Sequence, residues 1–222
     1  MKPAWSGGVA VPRSGTCPTG VSWHDHYDRP GSALEHRLGA VRRWIAAALD
    51  DGASRVVSVC AGQGRDLLPV LAAHPRRAQV RARLVELDER NVAEARRNAP
   101  EGVEVVCGDA AALRAYAGAV PADLVLVCGV FGNISDDDIR VTVAALPQLC
   151  APGAMVVWTR GRHEPDLVPV ISGWFAAENF DLVAEEGAEY GYGIGVHRYT
   201  GPPVPLDPAA HLFTFADPGP RI

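Results

Sequence analysis

Beyond Gly52 the chain alternates between short β-branched or aliphatic runs and longer segments of helical spacing, and no other feature restricts its fold as strongly. The expected strands are "RVVSVC" (55–60), "RLVEL" (83–87), "VEVVC" (103–107), "DLVLVC" (123–128), "AMVVWT" (154–159), "DLVAEE" (181–186) and "GIGVHRY" (193–199). Helices fit Asp66 to Ala73, Glu89 to Asn98, Ser135 to Leu149 and Asp166 to Asn179, with a weaker turn from Ala110 to Tyr116. Nearly continuous apolar strands separated by crossover helices are buried on both faces. The pattern therefore predicts an α/β fold of three layers, doubly wound around a mostly parallel seven-stranded sheet. Only "GAEYGY" separates the last two strands, too little for a helical crossover, so strand 7 returns antiparallel.

The flanks divide readily. Residues 1–20, rich in Gly, Pro, Ser and Thr, are expected to form a flexible arm. Residues 21–52 carry one amphipathic helix: Ser32 followed by Glu35 makes a capping box, Leu34, Leu38, Val41, Ile45 and Leu49 share a face, and Gly52 is a stop. Residues 53–200 form the core, and the Pro-rich 201–222 is a tail in which "HLFTF" is expected as an edge strand. At 222 residues the chain suits one substantial core, hence one domain.

Hydrophobic content of 48% and charged content of 21% are those of an ordinary globular protein. No apolar stretch is long enough to span a bilayer, and the first twenty residues do not read as a secretory signal. A cytoplasmic protein without membrane attachment is expected. The five cysteines include no C-x-x-C pair; Cys60, Cys107 and Cys128 sit in or beside apolar runs and read as small buried thiols in a reducing compartment. A net charge of −5 gives no reason to expect nucleic acid as a partner. The basic stretch "HPRRAQVRAR" (74–83) is followed by Glu86, Asp88 and Glu89 and reads as solvated surface.

In such sheets ligands collect outside the carboxyl ends of the strands. After strand 1 comes "SVCAGQGRD" (58–66), where Gly62 and Gly64 remove side chains from the turn. Strand 2 ends in Glu86, about 22 residues beyond Gly64, the distance at which an acid takes up a ribose diol in βαβ units. Strand 3 ends in "CGDA", which puts Asp109 at the same edge. Together these three strand ends describe an adenosine site.

With these residues in view the sequence resembles the class I S-adenosylmethionine-dependent methyltransferases, over roughly residues 54–199. "ELDERNVAEARRNA" is similar to that family's second strand and following helix, "CGDAAAL" to its third motif, and "LPQLCAPGAMVVWT" to its helix, Pro-Gly turn and fifth strand. The first motif departs: Ser58 stands where the family usually has an acid and Cys60 where it has the first glycine. The resemblance implies a Rossmann-like methyltransferase fold and S-adenosylmethionine as cofactor. It puts Glu86 on the ribose hydroxyls and Asp109 near the adenine amino group, with Cys60, Ala61, Gly62, Gly64, Leu87, Ala110, Gly129 and Phe131 as further donor-binding residues. It also implies that the segment before the capped helix folds over the donor as a lid, with Tyr27 and Arg37 facing its methionine carboxylate. A nicotinamide dinucleotide is the rival cofactor, but Leu67 stands where its G-x-G-x-x-G fingerprint needs a third glycine, and Asp66 brings negative charge to the pyrophosphate position.

The acceptor is expected to be a small molecule, methylated at oxygen or nitrogen. The N/D-P-P-Y signature of enzymes that methylate exocyclic or amide nitrogens is absent from "GVFGNISDDD". Asn133 fits substrate orientation or an ordinary turn. General-base candidates are His163, just past strand 5, and His26 in "WHDHYDRPGS"; each equally fits a solvated surface role. His24, Arg160, Tyr190 and Tyr192 are candidate acceptor-pocket residues. Asp136, Asp137 and Asp138 read as the acidic first turn of a helix capped by Ser135, rather than as a metal site. The altered first motif also admits a non-catalytic scaffold that binds the donor without turning it over.

Overall fold

The computed structural model describes residues 31–215, so the expected 1–20 arm lies outside the described residues. Its strands are β1 (Arg55–Val59), β2 (Arg81–Glu86), β3 (Val103–Cys107), β4 (Ala122–Val127), β5 (Cys150–Gly161), β6 (Phe180–Glu186) and β7 (Tyr192–Tyr199). Its helices are α1 (Ala33–Asp50), α2 (Leu68–Ala73), α3 (Glu89–Asn98), α4 (Asp136–Ala145) and α5 (Val168–Ala177). The strands form one sheet in the order β3-β2-β1-β4-β5-β7-β6. β1 to β5 pair in parallel, and β7 runs antiparallel between β5 and β6, as the short last connection requires.

Alternate residues of each strand face opposite layers. Val56, Leu84, Leu124, Leu126, Val157 and Ile194 pack under α1, α2 and α3. Val57, Val85, Val125, Val127, Val156 and Trp158 pack under α4 and α5. Two apolar faces explain the near-continuous hydrophobic strands.

Local chemistry sets the helix ends. Ser32 Oγ accepts the Glu35 N–H at 3.1 Å, while Glu35 Oε2 reaches back to the Gly31 N–H at 2.5 Å. At its other end α1 has no basic residue of its own in the last turn. Arg76 supplies one from outside, donating to the Leu49 and Gly52 carbonyl oxygens, and buried His74 lies 3.1 Å from Asp50. The basic stretch 74–83 is thus only partly solvated surface, because orphan carbonyls at a helix terminus draw in donors. Its last member, Arg83, pairs with Glu104 of β3 at 2.7 Å.

β2 begins at Arg81, in register with Arg55, two residues before the expected start. β5 begins at Cys150, which pairs with Ala122 before a register shift accommodates the Pro152–Gly153 turn. The tail segment "HLFTF" does not extend the sheet. It makes single antiparallel pairings, Ala112 with His211 and Ile134 with Phe215, and buries Leu212 and Phe213 against the α4 side of the core.

Candidate active site

The turn after β1 is built from left-handed residues: Cys60 at φ 52°, Gly62 at 55° and Gly64 at 69°. Cys60 therefore adopts the backbone that the absent glycine would have taken, at the steric cost of a side chain in that region. Gly64 has a packing reason to be glycine. A Cβ there would fall 2.7 Å from Leu68 Cδ1 and 2.9 Å from Leu84 Cδ2, so the bare backbone lets the turn nest between α2 and β2. The Ala61 N–H donates to the Val85 carbonyl at 3.0 Å, fastening the turn to the neighbouring strand.

Glu86 closes this assembly. Its Oε2 accepts the Gly62 N–H at 2.8 Å and its Oε1 accepts the Asp88 N–H at 2.9 Å. Both oxygens are held while each keeps a lone pair for another donor. The next residue, Leu87, is 64% exposed, an apolar surface at the tip of β2. Asp109, beyond β3, accepts the Ala111 N–H on Oδ1 and lies 2.9 Å from His211 Nε2 through Oδ2. Partial burial pushes its carboxyl up, but the His211 and Ala111 hydrogen bonds outweigh this and hold it below the usual carboxylate range. Ala110 is buried, and its carbonyl accepts the Tyr116 hydroxyl at 2.7 Å.

Arg37, on α1, is near enough to Asp66, Cys128 and Tyr192 for its charge to favour their ionised forms. Burial pushes the Asp66 carboxyl up, opposed by the Leu67 N–H, Arg42 and Arg37. Burial likewise pushes the Cys128 thiol up, so this cysteine is a packed neutral group. Tyr190 stacks on His36 of α1 at 4.4 Å, and Tyr192 lies 5.9 Å from Tyr190, a three-ring row between α1 and the β6–β7 connection. Glu186 completes the clamp between α1 and the β6–β7 hairpin, accepting the Trp44 Nε1–H at 2.9 Å and pairing with Arg43 at 3.2 Å.

No family model and no curated protein matches the sequence. Among solved structures, the chain is similar to an O-methyltransferase family protein from Burkholderia thailandensis, with a TM-score of 0.64 at 14% identity, over 83% of this chain and 60% of that one. It is similar to the N-methyltransferase NodS from Bradyrhizobium japonicum WM9 in complex with S-adenosyl-l-homocysteine, with a TM-score of 0.61 at 13% identity, over 82% and 99% of the two chains. A third is SAM-bound CalS10, an amino pentose methyltransferase from Micromonospora echinaspora, with a TM-score of 0.59 at 20% identity, over 81% and 97%. The chain has the class I methyltransferase fold.

On that methyltransferase fold the remaining candidates fall into separate groups. Gly129, at φ 77°, donates its N–H to Thr159 Oγ1 at 2.9 Å, and Asn133 Nδ2 returns to the Gly129 carbonyl at 2.7 Å. Phe131 is fully buried, 5.7 Å from Trp158, and so belongs to the core beneath the loop. Arg160 donates to the Phe131 carbonyl and lies 3.6 Å from Asp136, bracing the loop after β4. His163 is exposed, with its ring against Gly161, where a Cβ would fall 2.7 Å from Nε2. His24, His26 and Tyr27 lie outside the described residues. Asp138 turns back to the Ser135 hydroxyl at 2.8 Å, and among the described residues no group of three or more His, Cys, Asp or Glu is placed to hold a metal ion. Among the described residues no helix is long and apolar enough to cross a membrane.

Two residues at these strand ends carry no sequence signal. His211 reaches Asp109 across 102 positions, and His36 meets Tyr190 only because α1 docks on the hairpin. Neither spacing nor composition encodes such contacts.

Proposed function

We propose that the protein transfers a methyl group from S-adenosylmethionine to an oxygen or nitrogen of a small-molecule acceptor. The observation that carries this reading is Glu86, whose two oxygens are fixed by the Gly62 and Asp88 amides and still have acceptor capacity outward. A ribose diol offers the matching pair of donors. The rest of the donor set fits the cofactor piece by piece. Leu87 offers an apolar face to a purine, and Asp109, held ionised, offers an acceptor to its amino group. Arg37, a cation near the buried Asp66 carboxyl, suits the carboxylate of the methionine end. A dinucleotide fits worse, since Leu67 is fully buried where its third glycine would be.

When bound, S-adenosylmethionine would supply an electrophilic methyl carbon on a cationic sulfonium, with the thioether as leaving group for displacement by the acceptor heteroatom. The chain's own contribution is alignment and exclusion of water. α1, the aromatic row and the β4 loop wall the acceptor side. Asn133, Tyr190 and Tyr192 orient the acceptor there, with His24 and Arg160 as further pocket candidates. His163 and His26 are the candidate general bases that take the acceptor proton. The loop after β4 carries no signature for a nucleobase target, and the charge balance favours a small acceptor over nucleic acid. Among the described residues Cys60, Cys107, Cys128 and Cys150 are free thiols, in accord with a reducing, cytoplasmic setting, although Cys107, at the end of an outer strand of the sheet, is exposed and not buried as its apolar run suggests.

Titration calorimetry with S-adenosylmethionine and with S-adenosylhomocysteine tests the donor half of the reading. Micromolar binding of both is expected, and folded protein giving no heat with either overturns it. Product formation over a panel of phenols, amines and amino sugars tests the acceptor half. Donor binding without turnover on any of them would point to the scaffold.

A further inference from the structure

We infer that His211, carried by the C-terminal segment, is a positioning residue that orients the Asp109 carboxylate toward a purine 6-amino group and so sharpens the site's preference for 6-aminopurine over 6-oxopurine nucleosides. The inference rests on the adenosine reading of the strand ends.

The segment is anchored on both sides of His211. The Leu113 N–H donates to the Ala210 carbonyl at 3.1 Å and the Leu212 N–H to the Ala111 carbonyl at 2.8 Å. The Leu212 carbonyl accepts the Thr142 hydroxyl at 2.9 Å, and the Leu212 and Phe213 side chains are buried. Such anchoring fixes where the imidazole stands. It stands 2.9 Å from Asp109 Oδ2, while Ala111 N–H occupies Oδ1 at 2.9 Å. Both partners remain about half exposed, at 47% for His211 and 46% for Asp109, so the carboxylate still faces outward.

One contact on each oxygen fixes the orientation of the carboxylate, which has no proton to give and keeps a lone pair on each oxygen for another donor. An exocyclic amino group donates to such a carboxylate. A 6-oxo group presents another acceptor and is repelled. Without His211 the carboxylate keeps only the Ala111 tether and turns away from the purine edge more readily, so the contact to a 6-amino group weakens while a 6-oxo ligand, which makes no such contact, is little affected. His211 therefore acts through Asp109, and the position of the C-terminal segment sets purine choice at a site more than a hundred residues upstream.

The test compares S-adenosylhomocysteine with S-inosylhomocysteine by calorimetry on wild type, His211→Ala and His211→Gln. Wild type is expected to prefer the adenosine ligand by at least a hundredfold. His211→Ala should weaken S-adenosylhomocysteine about tenfold while changing S-inosylhomocysteine less than twofold, so the preference collapses. His211→Gln, which keeps an N–H donor, should restore most of it. A merely structural role for His211 would weaken both ligands together. An unchanged preference in His211→Ala that still binds S-adenosylhomocysteine overturns this inference alone, whereas wild type that binds neither ligand overturns the adenosine reading with it.

Discussion

Glu86 Oε2 accepts the Gly62 N–H at 2.8 Å, which ties the tip of β2 to the turn after β1 and makes one carboxylate the joint between two strand ends. The same carboxylate is the proposed ribose acceptor, so structure and binding share it. Glu86→Ala is expected to weaken S-adenosylhomocysteine at least tenfold, about 1.4 kcal/mol for a lost charge-assisted hydrogen bond. Glu86→Gln should fall between the two, because it keeps one acceptor oxygen. Calorimetry on folded variants reads both; unchanged affinity in Glu86→Ala removes the ribose assignment.

Gly64 separates a packing glycine from a ligand-facing one. Its φ of 69° and the 2.7 Å approach of Leu68 to a Cβ both oppose any side chain. Gly64→Ala should therefore cost about 3 kcal/mol, from left-handed strain together with overpacking between α2 and β2. In a chain of this size that lowers Tm by on the order of 10 °C, measurable by calorimetric melting without any ligand. A melt shifted by only a degree or two would mean the turn relaxes freely.

What could be read from the sequence was what local chemistry decides. Short, nearly continuous apolar runs marked the seven strands, and Ser32 and Ser135 marked their helices because a cap needs only residues three positions away. The antiparallel β7 followed from a connection too short to cross over. The misreadings share a long-range cause. Arg81 enters β2 because Arg55 lies across from it, Cys150 enters β5 because Ala122 does, and the final segment docks on the loops after β3 and β4 instead of on a sheet edge. At the site the pattern is the same. Glu86 was legible as a strand-end acid, but its capture of Gly62 and Asp88, the turning of Arg160 to the Phe131 carbonyl, and the arrival of His211 at Asp109 all depend on partners far away in sequence.

The acidic first turn of α4 gives a prediction about metal. Ser135 Oγ accepts the Asp138 N–H at 3.1 Å, so removing the hydroxyl should cost about 1 kcal/mol of stability. Ser135→Ala should melt a few degrees lower, with or without millimolar Mg²⁺. If Mg²⁺ raises the wild-type melt and the substitution or EDTA abolishes that rise, these aspartates hold a cation and the capping account is incomplete.

His197 governs how stability depends on pH. Trp158 Nε1–H donates to its Nδ1 at 3.2 Å, and its ring stacks on Phe175 at 4.3 Å. Its Nε2 is buried and has no hydrogen-bond partner among the described residues. Burial alone lowers its pKa from 6.5 to about 4, because a charged imidazole there has neither water nor a carboxylate to meet it. The folded state thus binds fewer protons than the unfolded chain between those two values, and stability rises with pH across that window. The contribution is fully present above pH 6.5, falls as pH drops toward 4, and amounts to on the order of 3 kcal/mol. Urea denaturation at pH 7.0 and 4.5 measures it. His197→Phe leaves the Trp158 N–H unpaired and should be about 1–2 kcal/mol less stable at pH 7.0, yet lose markedly less than wild type on acidification. Parallel losses in the two proteins would assign the acid sensitivity to other groups, since the variant no longer has an imidazole at that position to charge.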